Sequence, residues 1–305
     1  MESMDSPVLF VTFNRPSESA QVLARIREAR PSRLYLASDG PRRGHPADVD
    51  KVGRTREAVL SSVDWTCTVK TLFREENLGC ARAVAEAIDW FFDHEEEGII
   101  LEDDCLPDPT FFRFCAEVLE RYRDNPAIGH VGGNTFHGVR TDLKTSYYFS
   151  ALNHIWGWAT WKRAWALNDP TMREWPAWRS EDRLFRLLGS RRRSHYWEKA
   201  FEGAHSGSIA SWGYAWTFAC WEQGLISVLP RCNLVRNIGF GADATHTRSP
   251  GALNPARESY PMKFPLVHPD EVRIDCRADK QILDRHFRSG LSLLRFVRKL
   301  VARFH

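Results

Sequence analysis

Three adjacent carboxylates, Glu102, Asp103 and Asp104, follow a short apolar run in the segment GIILEDDCLPDPT (98–110). Their mutual repulsion opposes folding unless solvent or a cation offsets it. A solvated strand end is the simpler interpretation. The other is a hard cation such as Mg²⁺ or Mn²⁺, which takes carboxylate, water and phosphate oxygens and needs only one or two protein carboxylates. A metal–diphosphate complex held by Asp104 would account for the triplet.

Four short runs rich in β-branched and aromatic residues predict the strands that position this triplet. They are 7–13, 33–40, 63–73 and 98–102. Apolar residues at helical spacing lie between and after these runs. They are Leu23 and Ile26; Ala81, Val84, Ile88 and Phe91; and Phe112, Cys115, Leu119 and Tyr122. This alternation predicts an α/β fold with a mostly parallel sheet covered by helices on both faces.

Polar residues follow three of the predicted strands. Asn14 and Arg15 come after the first strand, Asp39 after the second, and the acidic triplet after the fourth. Because ligands of such sheets bind beyond the carboxyl ends of the strands, these residues predict a single binding site. Neither a G-x-G-x-x-G sequence nor a P-loop lysine follows the first strand, which argues against a Rossmann dehydrogenase and a P-loop NTPase.

Composition excludes several other classes. The 305-residue chain has a net charge of +3, too small to indicate a nucleic-acid partner. Its seven cysteines are odd in number and contain no CxxC pair, which argues against a disulfide framework and for a reducing compartment. No apolar run approaches the ~20 residues needed to span a bilayer, and the N-terminus lacks the pattern of a signal peptide. We therefore predict a cytoplasmic protein.

Four segments carry a resemblance to a known family. They are VTFNRP (11–16), ASDGPR (37–42), LEDDCLPDPTFF (101–112) and NHIWGWATWKRAW (153–165). On these segments the chain resembles a GT-A glycosyltransferase, the fold of nucleotide-diphospho-sugar transferases, and in particular the N-acetylglucosaminyltransferase I type and related bacterial sugar transferases. The resemblance runs from about Pro7 to His246. It implies a Rossmann-like transferase domain over 1–250 and a C-terminal extension over 251–305.

The resemblance implies a nucleotide-diphosphate sugar as donor. Thr12, Phe13, Asn14 and Arg15 would line the nucleotide pocket, with Arg15 near the diphosphate. Asp39 would accept a hydrogen bond from the imide N–H of the base, which suggests uridine.

The same resemblance assigns roles to the acidic triplet. Asp104 would ligate a divalent cation, Mn²⁺ or Mg²⁺, while Glu102 and Asp103 would face sugar or ribose hydroxyls. His246 stands where many such enzymes supply a metal- or diphosphate-binding histidine, and a neutral imidazole is an acceptable ligand for Mn²⁺. A surface or core histidine is the alternative. The glycine- and proline-rich loop 239–265 is a candidate lid over the donor.

Two residues of the tryptophan-rich segment are expected at the sugar pocket. Glycine at 157 would let the backbone approach a ligand closely, and the indole of Trp158 would suit the apolar face of a sugar ring. In similar transferases the corresponding Gly-Trp stretch forms a wall of the donor-sugar and acceptor pocket. The alternative is that these tryptophans fill the core.

A general base is harder to assign. In GT-A enzymes an acidic residue often begins the helix that corresponds to the start of 211–230, but here Trp212, Gly213 and Tyr214 occupy that place. Asp243 is the first candidate and Asp182 the second. Further alternatives are Glu181 and Glu222. A retaining mechanism, in which the leaving phosphate takes the proton, is the other possibility.

The tail 289–305 has the pattern of a basic amphipathic helix. Leu293, Val297, Leu300 and Phe304 share one face, and Arg295, Arg298 and Lys299 lie opposite. Such a helix either docks on its own domain or lies on an anionic membrane surface. Peripheral contact with the inner face of a membrane would fit a lipid-linked acceptor.

These observations predict a metal-dependent glycosyltransferase that moves a sugar from a nucleotide-diphosphate donor, UDP being favoured, to a hydroxyl of a glycan or lipid-linked acceptor. One alternative is a sugar nucleotidyltransferase, but that class normally has a glycine-rich basic N-terminal loop, which VTFNRP lacks. The other is a non-catalytic protein that binds nucleotide sugars or glycans, suggested by the missing helix carboxylate.

Overall fold

The computed structural model describes residues 4–239 and 258–287. The elements of the first half are β1 (Val8–Thr12), α1 (Pro16–Ala29), β2 (Arg33–Ser38), α2 (Pro46–Ser61), β3 (Thr68–Phe73), α3 (Cys80–Phe92), β4 (Glu97–Glu102), β5 (Cys105–Pro107) and α4 (Thr110–Tyr122). Those of the second half are β6 (Ile128–Gly132), β7 (Tyr147–Ser150), β8 (Trp158–Trp161), α5 (Lys162–Trp165), α6 (Trp175–Ser180), α7 (Arg183–Leu188), α8 (Arg191–His205), α9 (Trp212–Glu222), β9 (Ile226–Pro230), β10 (Val235–Asn237) and α10 (Cys276–His286).

Eight strands form one sheet in the order β3-β2-β1-β4-β8-β6-β9-β7. The pairs β3–β2, β2–β1, β1–β4 and β6–β9 are parallel, whereas β7 and β8 run opposite to the others. The predicted α/β fold with a mostly parallel sheet is therefore confirmed. A separate antiparallel pair joins β5 to β10.

The order of the first strands places a ligand-binding crevice between β1 and β4. The chain moves from β1 outward to β2 and β3, then returns to place β4 on the other side of β1. Val11 pairs with Glu102, so both strands end at the same edge. Open α/β sheets bind ligands at such a reversal of strand order.

Side chains that alternate along the strands build a core on each face of the sheet. Along β1, Val8 and Phe10 point into one core and Leu9 into the other. Helices α1 and α4 cover the first core, and α3, α8 and α9 cover the second. The predicted apolar faces are buried there: Leu23, Ile26, Val84, Ile88, Phe91, Phe112, Cys115, Leu119 and Tyr122, with Ala81 only partly buried.

The structure corrects several element boundaries. The strand expected over 63–73 begins only at Thr68, and the strand expected over 33–40 ends at Ser38. The sequence analysis also missed α2, because few of its residues are apolar. Its buried face combines Val52 and Val59 with polar residues, which hides the helical period.

Residues 258–287 belong to the same two cores. Met262 contributes to the first core and Ile282 to the second. Helix α10 is tied to the end of β7 by Asp279, whose carboxylate accepts from Ser150 Oγ at 2.5 Å and from the Ala151 N–H at 2.9 Å. The domain boundary expected at 250 falls in the segment between the described ranges. No helix within the described ranges is long and apolar enough to cross a membrane.

Candidate functional site

The acidic triplet is paired with an arginine that lies between the neighbouring strand β1 and helix α1. Arg15 Nη1 lies 3.1 Å from Asp103 Oδ1 and 2.9 Å from Asp104 Oδ2. The three side chains are only 14%, 10% and 21% exposed, so this is a partly buried cluster and not a solvated strand end. The pairing follows from the adjacency of β1 and β4, which brings the residues after both strands to one edge.

Backbone groups hold the triplet in place. The Phe13 N–H donates to Asp103 Oδ2 at 3.1 Å, and the Ile238 N–H donates to the Asp104 carbonyl at 2.7 Å. Gly239 lies against the Asp104 carboxylate, where a Cβ would collide with it. The end of β10 therefore forms one wall of the site.

Helix α9 begins at the same place. The Trp212 side chain, from its first turn, lies beside Glu102 and opposes the rise in the pKa of its carboxyl group. A Cβ on Gly213 would lie 2.5 Å from Ile155 Cδ1, so this turn also packs closely against the segment before β8. The described start of the helix carries no carboxylate, as the sequence indicated.

The electrostatics of the triplet favour a positive ligand. Burial, followed by repulsion from Asp104 and Asp103, raises the pKa of Glu102. Burial also raises the pKa of Asp103, although Arg15 opposes this shift. Burial and the same carboxylates raise the pKa of Cys80, the first residue of α3, to about 12. A further cation would relieve this concentration of negative charge.

Oxygen ligands of this kind suit a hard divalent cation. Asp104 would hold it, provided that Arg15 released its Oδ2. Within residues 4–239 and 258–287, no group of three His, Cys, Asp or Glu side chains is arranged to hold a metal ion. Mg²⁺ and Mn²⁺ sites that use one or two carboxylates and substrate phosphates do not need such a group. The other ligand implied by the resemblance, His246, lies outside the described residues, as does Asp243.

Asp39 is buried and anchors a neighbouring loop. Its Oδ1 accepts from the N–H groups of Gly40 at 3.0 Å and Leu78 at 2.9 Å. Its Oδ2 accepts from Asn77 Nδ2 at 2.9 Å and from the Gly79 N–H at 3.0 Å. Both oxygens thus hold the turn that begins α3. The predicted contact with a nucleotide base would require part of this network to open.

Among the residues expected around the nucleotide, Thr12 is buried and its hydroxyl donates to the Ala37 carbonyl at 3.2 Å. It therefore ties β1 to β2. The Phe13 ring is partly exposed, with the Arg42 guanidinium 5.5 Å from its centroid. Asn14 Nδ2 donates to Asp48 Oδ1 at 2.8 Å, which links the end of β1 to α2.

Arg42 and Asp48 line this part of the site and were missed by the sequence analysis. Arg42 Nε and Nη2 donate to the Asp48 carboxylate at 2.6 and 3.0 Å, and this pairing lowers the pKa of Asp48 to about 2. A cavity of about 260 Å³ lies beside them. Its lining residues are Asn14, Arg42, Gly44, His45, Pro46, Ala47, Asp48 and Lys51. Proline at 46, a common first residue of helices, was the available signal.

Gly157 and Trp158 have internal packing partners. Gly157 has φ +62°, its carbonyl accepts from the Gly133 N–H at 2.7 Å, and a Cβ would lie 2.8 Å from Val235 Cγ2. Trp158 is 1% exposed, and its indole stacks on the rings of His130 and Trp212 with centroids 5.1 and 5.6 Å away. In this structure the Trp158 indole fills the core, as in the alternative interpretation.

The remaining base candidates lie on other elements. Asp182, at the junction of α6 and α7, is ion-paired with Arg191, and Glu181 pairs with Arg183. Glu222 ends α9, whose first turn contacts the triplet. At about 1.5 Å per residue the length of this helix separates Glu222 from the site by roughly 15 Å. The structure does not bring Glu222 together with the triplet.

No protein-family model matches the sequence, and no curated protein matches it either. Solved structures that match parts of the chain include HddC from Yersinia pseudotuberculosis, with 10% identity, a TM-score of 0.32, and coverage of 52% of this chain and 77% of that chain. A UDP-glucose pyrophosphorylase bound to UDP-glucose has 9% identity, a TM-score of 0.27, and coverage of 48% and 62%. The 4-diphosphocytidyl-2C-methyl-D-erythritol synthase from Anaerococcus prevotii has 9% identity, a TM-score of 0.33, and coverage of 53% and 74%. Likenesses this weak assign no activity.

Proposed function

We propose that this protein is a metal-dependent glycosyltransferase that moves a sugar from a nucleotide-diphosphate donor, a UDP-sugar, to a hydroxyl of a glycan or lipid-linked acceptor. One observation carries the proposal: Glu102, Asp103 and Asp104 are gathered, partly buried, at the reversal of strand order between β1 and β4, facing Arg15. Carboxylates for a cation and a guanidinium for a diphosphate are thereby placed at the edge where such sheets bind ligands.

In this proposal Arg15 exchanges partners when the donor binds. Its guanidinium, which bridges Asp103 and Asp104, would turn to the diphosphate oxygens, because planar guanidinium groups bind phosphate through paired hydrogen bonds. Asp104 would then hold the divalent cation, which when bound acts as a Lewis acid for the leaving diphosphate. Asp103 keeps its orientation through the Phe13 N–H.

Glu102 would face the donor sugar. The Trp212 side chain lies beside this carboxyl group, and the raised pKa of Glu102 lets it exchange hydrogen bonds with sugar hydroxyls as acceptor or donor. The first turn of α9 would therefore form part of the donor site.

The test uses Asp104→Asn and UDP-glucose without an acceptor. We expect the wild type to release UDP slowly in Mn²⁺, and the variant to lose both this hydrolysis and the Mn²⁺-dependent part of UDP affinity in calorimetry. Its melting temperature should not fall, since removing one of three crowded charges relieves repulsion and leaves the Arg15–Asp103 pair intact. Asp64→Asn, at an exposed ion pair with Arg27, is the matched control.

Unchanged UDP affinity in Asp104→Asn would refute the assigned metal ligand. A nucleotidyltransferase would give different products once pyrophosphate is added to the same assay, because attack of pyrophosphate on UDP-glucose yields UTP and glucose 1-phosphate. Formation of these products would replace glycosyl transfer as the activity.

A further inference from the structure

Two loops beside the acidic triplet contain buried polar atoms that the mechanism above does not use. One loop, 133–137, follows β6, and the other, 151–157, precedes β8; we refer to them together as the β6–β8 loop pair. Trp158 pairs with Ile100 on one side and with Gly132 on the other. The β6–β8 loop pair therefore lies at the same sheet edge as the triplet, one strand away.

His154, in the second loop, has a ring nitrogen, Nε2, without a hydrogen-bond partner in the described ranges. Its Nδ1 lies 3.0 Å from the Asn134 carbonyl, which can only accept, so Nδ1 carries the proton of the neutral ring. Burial lowers the pKa of His154 to about 4, and the ring is therefore neutral near pH 7. Nε2 is then a hydrogen-bond acceptor, and it has no partner among the described residues. His154 is only 4% exposed, so solvent does not supply one freely.

Asn134 presents the complementary group. Its Oδ1 accepts from the Trp156 N–H at 3.3 Å, which fixes the orientation of the amide. Its Nδ2 is buried and has no hydrogen-bond partner within the described residues, and the residue is 1% exposed. Neither amide atom of Asn153, in the second loop, has a partner there either. Leaving such a group unpaired in the interior is unfavourable, because it loses its hydrogen bonds to water and gains none in return.

Aromatic rings lie next to these atoms. The ring of Phe136 meets the ring of His154 edge-on, with centroids 4.7 Å apart, and lies 5.5 Å from the indole of Trp156. Phe136 and Trp156 are both partly exposed, unlike the buried Trp158. The C–H groups on the face of a sugar ring carry partial positive charge and are attracted to aromatic faces, which are negative.

We propose that the β6–β8 loop pair is the subsite for the acceptor sugar, in which one hydroxyl accepts a hydrogen bond from Asn134 Nδ2 and donates one to His154 Nε2, while the sugar ring packs on Phe136 and Trp156. A hydroxyl is the group that satisfies a donor and an acceptor together. Access requires the Phe136 ring, which also stacks on His286 with centroids 5.0 Å apart, to turn away from His154, and the sugar ring would pack on Phe136 in that turned position.

This inference rests on the proposed function and names its acceptor chemistry as a pyranoside with a free hydroxyl. The first turn of α9 connects the two subsites, since Trp212 contacts Glu102 while the adjacent Gly213 packs against Ile155. Donor and acceptor would therefore meet along one sheet edge.

Asn134→Asp is the sharpest variant, because it keeps the oxygen that accepts from Trp156 and replaces the unpaired donor with an acceptor. We would measure binding of the methyl glycosides of glucose, galactose, mannose and N-acetylglucosamine by saturation-transfer NMR, using the full chain with UDP and Mn²⁺. At least one glycoside should bind the wild type, and its affinity should fall at least ~10-fold in Asn134→Asp and in Phe136→Ala. Trp178→Phe, which removes a buried N–H on α6 that has no hydrogen-bond partner in the described part of the chain, is the matched control and should bind normally.

The proposal is overturned if the wild type binds none of the four glycosides. It is equally overturned if both variants bind like the wild type, which would assign the unpaired atoms to an internal water. Phe136→Ala serves alone if Asn134→Asp does not fold, as judged by its thermal transition. UDP affinity, measured in the same samples, separates the two proposals. UDP binding without glycoside binding refutes only the acceptor subsite. Glycoside binding without UDP binding refutes only the proposed donor.

Discussion

Arg15 Nη1 lies 2.9 Å from Asp104 Oδ2, so the proposed metal ligand is already paired with a cation from its own chain. A divalent cation and Arg15 would therefore compete for one carboxylate. In the proposed function this competition would act as a switch between an internally neutralised site and a site that holds a metal–diphosphate complex, because the diphosphate would offer Arg15 a new partner.

Replacing Arg15 should expose this competition. In Arg15→Gln the triplet loses its guanidinium, and we expect the free energy of unfolding to fall by about 3 kcal/mol, the lower end for breaking a buried ion pair. Mn²⁺ should then raise the melting temperature of the variant more than that of the wild type. Arg27→Gln removes an exposed pair and should cost much less stability, because solvent screens exposed charges. Equal Mn²⁺ shifts in wild type and Arg15→Gln would contradict the competition.

We expect the main role of Asp39 to be the stabilisation of the loop that begins α3. Asp39→Asn places an amide N–H against backbone donors of residues 78–79, so we expect a loss of stability of about 2–4 kcal/mol and faster hydrogen exchange over 77–82. Asn77→Ala removes only one donor to the same carboxylate and should cost less. If Asp39→Asn keeps its stability but selectively loses uridine nucleotides relative to other nucleotides, the predicted base contact is correct instead.

Acid should destabilise the protein through His130. This ring is fully buried, its Nε2–H donates to the His154 carbonyl and its Nδ1 accepts from Trp216 Nε1, and burial lowers its pKa to about 3. In the unfolded state the pKa of His130 is near 6.5, so below this pH the unfolded chain binds a proton that the folded protein does not bind. Its contribution to stability is therefore complete above pH 6.5 and is lost as pH falls, at up to about 1.4 kcal/mol per pH unit.

Urea denaturation at a series of pH values from 7 to 5 would give the free energy of unfolding as a function of pH. The effect of His130 is the difference between the slopes of this dependence in the wild type and in His130→Gln. The raised pKa values of Glu102 and Asp103 act in the opposite direction, because they let the folded state hold protons more tightly, but they cancel in this comparison. Parallel slopes for the wild type and His130→Gln would show that burial does not lower the pKa of His130.

The tail 289–305 lies outside the described residues, and its membrane role stays a prediction. We expect the full chain to sediment with vesicles that contain phosphatidylglycerol, and a chain lacking 289–305 to stay in solution, because the basic face would lose its anionic partner. Vesicles of phosphatidylcholine alone are the control. Sedimentation that survives the deletion, or that does not occur with the full chain, would remove the tail from membrane contact.

Much of the first half was determined by local sequence. The apolar runs of β1, β2 and β4 and the helical spacing of α3 and α4 act over a few residues, so strands, buried faces and the placement of the triplet beyond β4 could all be predicted. Where the periodic signal is weak, prediction failed: α2 buries polar residues beside Val52 and Val59. The irregular spacing of tryptophans in 153–165 likewise concealed β8.

Only the tertiary structure determined which residues interact with one another at the site. Arg15 reaches Asp104 because β4 lies beside β1, and strand order depends on contacts between residues far apart in the chain. In the same way the carboxylate oxygens of Asp39 accept hydrogen bonds from residues 77–79. The indole of Trp158 is enclosed by rings from β6 and α9. Local propensity carries no information on such pairings, because burial, charge neutralisation and hydrogen bonding across the sheet arise only when distant segments pack together.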